Sequence, residues 1–262
     1  HASGMFADCF YVQDFLAPEE AEALNAAATQ VEAGSGWASL PGRRLLNLGG
    51  VPHASGMFVE PLPAFAAALA RALLQAGAFD VEPDQLLVNE YEGPQGIDAH
   101  RDGPLYRPRA AIVSLGSPAV LDFFEAAGSA APGAEEAGVG RDAAVAEGRR
   151  LRRLASVALE PNSLLLFSGR AYTDLWHGIA SGSGREELDG LCVNADIVRL
   201  EHSWHRGRRL SFTLRKATSV AERPATAEGE AEAKRRQAHW LRAVADSRGP
   251  EARGREQPQR AD

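Results

Sequence analysis

The chain has 262 residues, of which 45% are hydrophobic and 24% charged, with a formal net charge of -7. This length allows one large domain with additions or two small ones, and the apolar fraction is enough for a substantial core. The acidity argues against nucleic-acid binding driven by overall charge, but not against a local basic surface.

In chain order, Phe10 to Leu16 has strand character. Pro18, followed by Glu19, Glu20 and Glu22, opens an alanine-rich helix; proline is tolerated in the first turn, and early acids suit the helix dipole. Gly34 to Gly36 is expected to stop it. The stretch 43–52, RRLLNLGGVP, reads as a short strand and turn. Its mix of basic, apolar and glycine residues also suits a substrate-facing loop. Leu62 to Ala76 is a second packing helix, stopped by Gly77. Leu86 to Tyr91 reads as a strand. Ala110 to Leu115 and Ala119 to Phe124, joined by Gly116-Ser117-Pro118, predict a hairpin.

Between these strands lies NEYEGPQGIDAHRD, residues 89–102. His100 and Asp102 are two apart, a spacing that turns both side chains to one face of an extended strand. One imidazole and one carboxylate suit a divalent ion of intermediate hardness. Two histidines with one carboxylate, leaving coordination positions open, is the arrangement of non-haem Fe(II) oxygenases. H-x-D alone is a weak signal; it needs a second histidine and a cationic anchor for an anionic cosubstrate.

Residues 126–148, rich in Ala, Gly and Glu without a period, read as a surface loop. The four arginines of 149–153 read as a solvated face after it. Val157 to Leu159 and Ser163 to Phe167 resume strand character. Ala171 to Ile179 then brings His177, which is 75 positions beyond Asp102, far enough for a sheet to fold back. Residues 181–207 form a second irregular insertion with Cys192, His202, Trp204 and His205, expected to lie over one end of the sheet.

Arg208 to Lys216, RRLSFTLRK, alternates at period two. Arg209, Ser211, Thr213 and Arg215 share one face, while Leu210, Phe212 and Leu214 share the other. Arg209 and Arg215 start roughly 20 Å apart, yet their long side chains reach opposite ends of a short dianion. Planar guanidinium groups suit carboxylates. Beyond Ala217 the chain is charge-rich. Ala225 to Val244 predicts a helix whose Lys234-Arg235-Arg236 cluster reads as a solvated face, and 249–262 is expected to be disordered.

Cys9 and Cys192 form neither a disulfide framework nor zinc spacing, which fits a reducing compartment; cytoplasm or nucleus is expected. No apolar run approaches a membrane span and no secretory leader is visible, so no membrane partner is expected. The six residues HASGMF occur at 1–6 and again at 53–58, and this single recurrence builds no repeat architecture.

N-x-Y, H-x-D, a later His and R-x5-R, in that order, resemble the AlkB-type dioxygenases that depend on Fe(II) and 2-oxoglutarate. Here they are Asn89 and Tyr91, His100 and Asp102, His177, then Arg209 and Arg215. The stretches RRLLNLGGVPH, LLVNEYEGPQGIDAHRDGPLY, VSLGSPAVLDFFE, SLLLFSGRAYTDLWHGIA and RLSFTLRK are similar to the AlkB homologue six branch, covering about Arg43 to Lys216.

The resemblance implies a mainly β fold with flanking helices, a double-stranded β-helix or jelly roll. It would occupy 62–216, with insertions near 126–153 and 181–207, after an N-terminal extension and substrate lid at 1–61 and before a charged tail at 217–262. It implies that His100, Asp102 and His177 hold iron. Asn89, Tyr91, Arg209 and Arg215 would bind 2-oxoglutarate, with Arg209 on the distal carboxylate and Ser211 and Thr213 lining that pocket. The implied activity uses O2 and 2-oxoglutarate to hydroxylate an alkyl group on a base of RNA or DNA, which is then lost as an aldehyde. Such enzymes take the base out of its stack. Arg43, Arg44, Asn47 and His53 are the implied nucleic-acid contacts, and the protein is expected to be a monomer. Two alternatives stand beside this: the same chemistry on a protein or small molecule, and a binding module with little turnover. A basic groove beside the iron separates the first reading from the second; the intact ligand set counts against the third.

Overall fold

The computed structural model describes residues 8–31, 36–127 and 142–246. The expected helix stop at Gly34, most of the 126–148 loop, the tail from 249 and the first HASGMF segment lie outside these residues. In chain order the elements are β1 (Cys9–Val12), α1 (Pro18–Gln30), β2 (Trp37–Leu40), β3 (Arg43–Leu48), β4 (Met57–Phe58), α2 (Ala64–Gln75), β5 (Gln85–Tyr91) and β6 (Ile97–His100). There follow β7 (Tyr106–Gly116), β8 (Ala119–Ala126), β9 (Ala143–Ala146), β10 (Arg149–Leu159), β11 (Leu164–Ser168), α3 (Gly169–Thr173) and β12 (Trp176–Ile179). The chain ends with β13 (Arg185–Glu187), β14 (Ser203–His205), β15 (Arg209–Ala217), β16 (Val220–Ala221) and α4 (Ala227–Asp246). Among the described residues no helix is long and apolar enough to cross a membrane.

Seven strands, in the order β1-β11-β7-β15-β5-β3-β2, make the larger sheet; five, in the order β6-β12-β8-β10-β9, make the smaller. The period-two alternation of β15 decides what lies on each side of the larger sheet. Leu210, Phe212 and Leu214 join Leu86, Val88, Ala111 and Val113 in an outer core. The helices cover that core with Ala21, Leu24 and Ala28 of α1 and Ala66, Leu69, Ala70 and Leu73 of α2. Both sets recur at helical spacing, so each helix buries one stripe. Glu20 fixes the start of α1 by accepting the Ala17 N–H at 2.8 Å. On the inner side, Ile112, Leu165 and Phe167 of the larger sheet meet Leu121, Phe123 and Val157 of the smaller one.

Three expectations need correction. Strands β7 and β8 do not form a hairpin. β7 pairs with β11 and β15, and β8 pairs with β10 and β12, so the turn carries the chain from one sheet to the other. The linker's polar groups go to the 207–208 loop instead: Ser117 N–H donates to the Arg208 carbonyl at 2.9 Å, and Gly207 N–H donates to Ser117 Oγ at 2.8 Å. The arginine run 149–153 is not simply a solvated face, because it begins β10. Beside a register shift, the Arg153 side chain is buried against Asp122, Asp142 and Asp189 at 3.3, 2.6 and 2.5 Å. The 181–207 insertion is ordered around the β13–β14 pair.

Strands β1, β2 and β3, all before residue 62, join the larger sheet. β1 pairs with β11 and β3 with β5.

Phe212 has no exposed surface. Phe212→Ala should therefore cost about 3–5 kcal/mol in urea denaturation; a loss below about 1 kcal/mol would contradict the packing described here.

Candidate active site

His100 and His177 are directly opposed partners on the antiparallel strands β6 and β12. Opposed residues put their side chains on the same face, so the two imidazoles meet with ring centroids 4.5 Å apart. Asp102 lies two residues past His100, just beyond the end of β6. One ligand atom from each of His100, Asp102 and His177 lies within 4.8 Å of the others, a group that could hold a metal ion. His100 Nδ1 is 2.9 Å from the Asp98 carbonyl. That contact favours the tautomer with hydrogen on Nδ1 and leaves Nε2 free as a ligand atom. Phe167 packs edge-on against His177 at 5.1 Å. Burial lowers both imidazole pKa values, that of His177 to about 3, so both rings are neutral at physiological pH and keep a lone pair.

Asp102 is held from the opposite sheet. Arg215, near the end of β15, donates from Nε and Nη2 to its two carboxylate oxygens at 2.8 and 2.6 Å. Burial pushes the Asp102 carboxyl up, but the Arg215 guanidinium is the largest opposing cause, and the carboxyl is held below the usual carboxylate range. A carboxylate has about four lone-pair sites, so this grip leaves room for a metal. Behind Arg215 runs a chain of amides. Arg215 Nη1 donates to Gln85 Oε1 at 3.4 Å, Gln85 Nε2 to Asn47 Oδ1 at 2.7 Å, and Asn47 Nδ2 to the Gly50 carbonyl at 2.9 Å. The Arg215 guanidinium also lies 5.0 Å from the Tyr106 ring centroid.

Register places the remaining polar residues in rows. Arg209 is opposite Tyr91, and Ser211 is opposite Asn89 on one side and Ser114 on the other. Together with the metal-ligand group, Asn89, Tyr91, Ser211, Thr213 and Arg215 line a cavity of roughly 310 Å³, within the range of small-molecule sites. Arg209 lies farther along the strand, beside Tyr91, and donates from Nη2 to Ser114 Oγ at 2.9 Å. Its Nε and Nη1 are buried with no hydrogen-bond partner among the described residues. Burial pulls its pKa down to about 10, which still leaves it cationic.

The four residues read as nucleic-acid contacts fall in different places. Arg43 lines the cavity and donates from Nε to Asn89 Oδ1 at 3.0 Å. Arg44 points to the other face of β3, where it pairs with Glu90 and lies over the Trp37 ring. Asn47 belongs to the amide chain behind Arg215. His53 sits outside the cavity, with Nδ1 2.7 Å from Ser55 Oγ.

Sequence reasoning overlooked Gln85, Tyr106 and the cavity face of α4. Gln85 was legible, since it continues the period-two row of Asn89 and Tyr91. The α4 face carried a weaker signal, with Trp240, Ala243 and Val244 at helical spacing.

Comparison with known proteins gives this geometry its context. Residues 25–215 match the profile of the 2OG-Fe(II) oxygenase superfamily. The chain belongs to this superfamily. It is 30% identical over 214 residues to a Danio rerio protein named "Probable RNA/DNA demethylase ALKBH6", covering 80% of this chain and 86% of that one. It is also 30% identical over 161 residues to the Mus musculus tRNA (carboxymethyluridine(34)-5-O)-methyltransferase ALKBH8, of which it spans 20%. The solved structure of OsALKBH1 superposes with a TM-score of 0.50 at 16% identity, covering 80% of this chain and 98% of that one. This likeness places the two facing sheets among double-stranded β-helix folds.

As a superfamily member the chain is a dioxygenase that uses Fe(II), 2-oxoglutarate and O2. Its residues fit these groups. Two neutral imidazoles and one carboxylate are a suitable donor set for ferrous iron. The unmet Nε and Nη1 donors of Arg209 leave this buried cation receptive to an anionic partner, and the distal carboxylate of 2-oxoglutarate fits that need. Leaving them unmet inside the protein is costly.

Two tests follow from the site. Ferrous ion titrated anaerobically should bind the wild type at one equivalent and His177→Ala hardly at all; equal binding would refute the ligand assignment. Arg209→Ala should raise the KM for 2-oxoglutarate at least about 30-fold, as for loss of a buried charge partner. An unchanged KM would place the anchor elsewhere.

Proposed function

We propose that this chain is an oxidative dealkylase of nucleobases in RNA or DNA. The observation that carries the reading is the 30% identity to the Danio rerio ALKBH6 over most of both chains. Iron-site candidates opening onto a cavity of roughly 310 Å³ are consistent with it.

In this reading His100, Asp102 and His177 hold the iron. Arg215 orients Asp102, and the Gln85–Asn47 chain fixes Arg215. Arg209 binds the distal carboxylate of 2-oxoglutarate; Tyr91, Asn89, Ser211 and Thr213 line the remainder of its pocket. Bound iron supplies oxygen activation coupled to decarboxylation of 2-oxoglutarate. The net reaction consumes O2, 2-oxoglutarate and an N-methylated base, and yields succinate, CO2, formaldehyde and the free base. The side chains orient the reactants and exclude bulk water, and the chemistry belongs to the iron and the cosubstrate. Arg43 faces the cavity and braces Asn89. The base reaches the site only when turned out of its stack.

A panel of single-stranded RNA and DNA oligonucleotides, each with one N-alkylated base, tests this. At least one should give aldehyde and succinate in equal amounts with the matching loss of product mass. Turnover of 2-oxoglutarate that responds to none of them would reject the nucleobase reading and leave the oxygenase assignment standing.

A further inference from the structure

One wall of the cavity comes from beyond residue 215, where the family match ends. Trp240, Ala243 and Val244 of α4 line it, facing the space that also holds His100 and His177. Their spacing puts them on one helical face. Arg236, one turn before Trp240, tethers that face. It donates to the Gly56 carbonyl and to Ser55 Oγ at 2.9 Å each, and lies 3.9 Å from the Phe58 ring centroid. Upstream, β16 pairs with β4 through Val220 and Met57. Arg236 thus ties the helix to the 55–58 segment, and β16, the strand that precedes the helix, pairs with the same segment.

Among the described residues, three aromatic side chains with large rings border this space, and two are committed. The Tyr91 and Tyr106 rings are buried, and each has a guanidinium over it, at 5.6 and 5.0 Å. Trp240 is half-exposed and makes no hydrogen bond or ring contact among the described residues. An indole face offers a broad, flat apolar surface, and any nucleobase can stack on it.

We propose that Trp240 is the stacking surface for the substrate base, making α4 the specificity wall of the active site. This rests on the dealkylase reading above. The Gly56–Arg236 tether positions the indole on the cavity wall that Ala243 and Val244 also line.

The test measures binding without turnover, using enzyme loaded with ferrous ion and 2-oxoglutarate under nitrogen. The probes are short single-stranded RNA and DNA carrying one N-methylated adenine or cytosine. Trp240→Leu keeps an apolar cover but has no ring; it should weaken binding roughly 5- to 150-fold, the range expected for one lost base stack, while Trp240→Phe stays within roughly threefold. Binding should quench the fluorescence of the wild type, and Trp240→Phe should lose most of that quench. The fluorescence readout decides the matter even if the leucine variant fails to fold. Equal affinity in all three proteins, or a full quench retained in Trp240→Phe, overturns the stacking role and leaves the dealkylase reading intact. Tighter binding by Trp240→Leu also overturns it, because it would make the indole a plug. If the wild type binds none of the methylated probes, the dealkylase reading falls and this inference falls with it.

Discussion

The site depends on one buried ion pair that joins the two sheets. Arg215 belongs to the larger sheet, and Asp102 follows the edge strand of the smaller one. Their two hydrogen bonds, at 2.6 and 2.8 Å, connect the strand bearing the proposed cosubstrate residues to the turn bearing a candidate metal ligand. A buried pair of this kind contributes little net stability, but loss of either partner strands a charge and is costly. What the pair supplies here is position. It holds a carboxylate in its ionised form beside two neutral imidazoles, and the amides of Gln85 and Asn47 hold the arginine in turn.

The contrast between the two arginines of β15 follows from this. Arg215 is satisfied within the protein. Arg209, on the same face of the strand, is buried with two of its three guanidinium nitrogens unmet among the described residues. A folded chain tolerates such a defect where a ligand completes it. One strand thus carries a structural cation at one end and a receptive cation at the other. The outer face of the same strand holds Leu210, Phe212 and Leu214 in the core, and a shift of one residue in register would exchange the two faces.

Much of this was legible in the sequence because it rests on short-range periodicity. Alternation in β5 and β15 placed Asn89, Tyr91, Ser211 and Thr213 on one side. The H-x-D spacing marked the candidate metal pair, and R-x5-R marked the two cations that share one face of β15. Which strands pair was less legible. Gly116-Ser117-Pro118 has the length of a hairpin turn, and local chemistry cannot show that its donors serve the 207–208 loop. Arg153 reads as a surface residue until Asp122 and Asp189, distant in the chain, are seen around it. The cavity face of α4 was hidden for the same reason: a helix in a charge-rich tail looks solvated unless its tertiary neighbour is known.

The most direct test is anomalous diffraction at the iron edge from crystals grown anaerobically with ferrous ion and 2-oxoglutarate. The account predicts one iron peak bonded to imidazole nitrogens of His100 and His177 and to a carboxylate oxygen of Asp102, with a carboxylate of the cosubstrate on Arg209. An iron peak elsewhere, or a cosubstrate carboxylate far from Arg209, would contradict it.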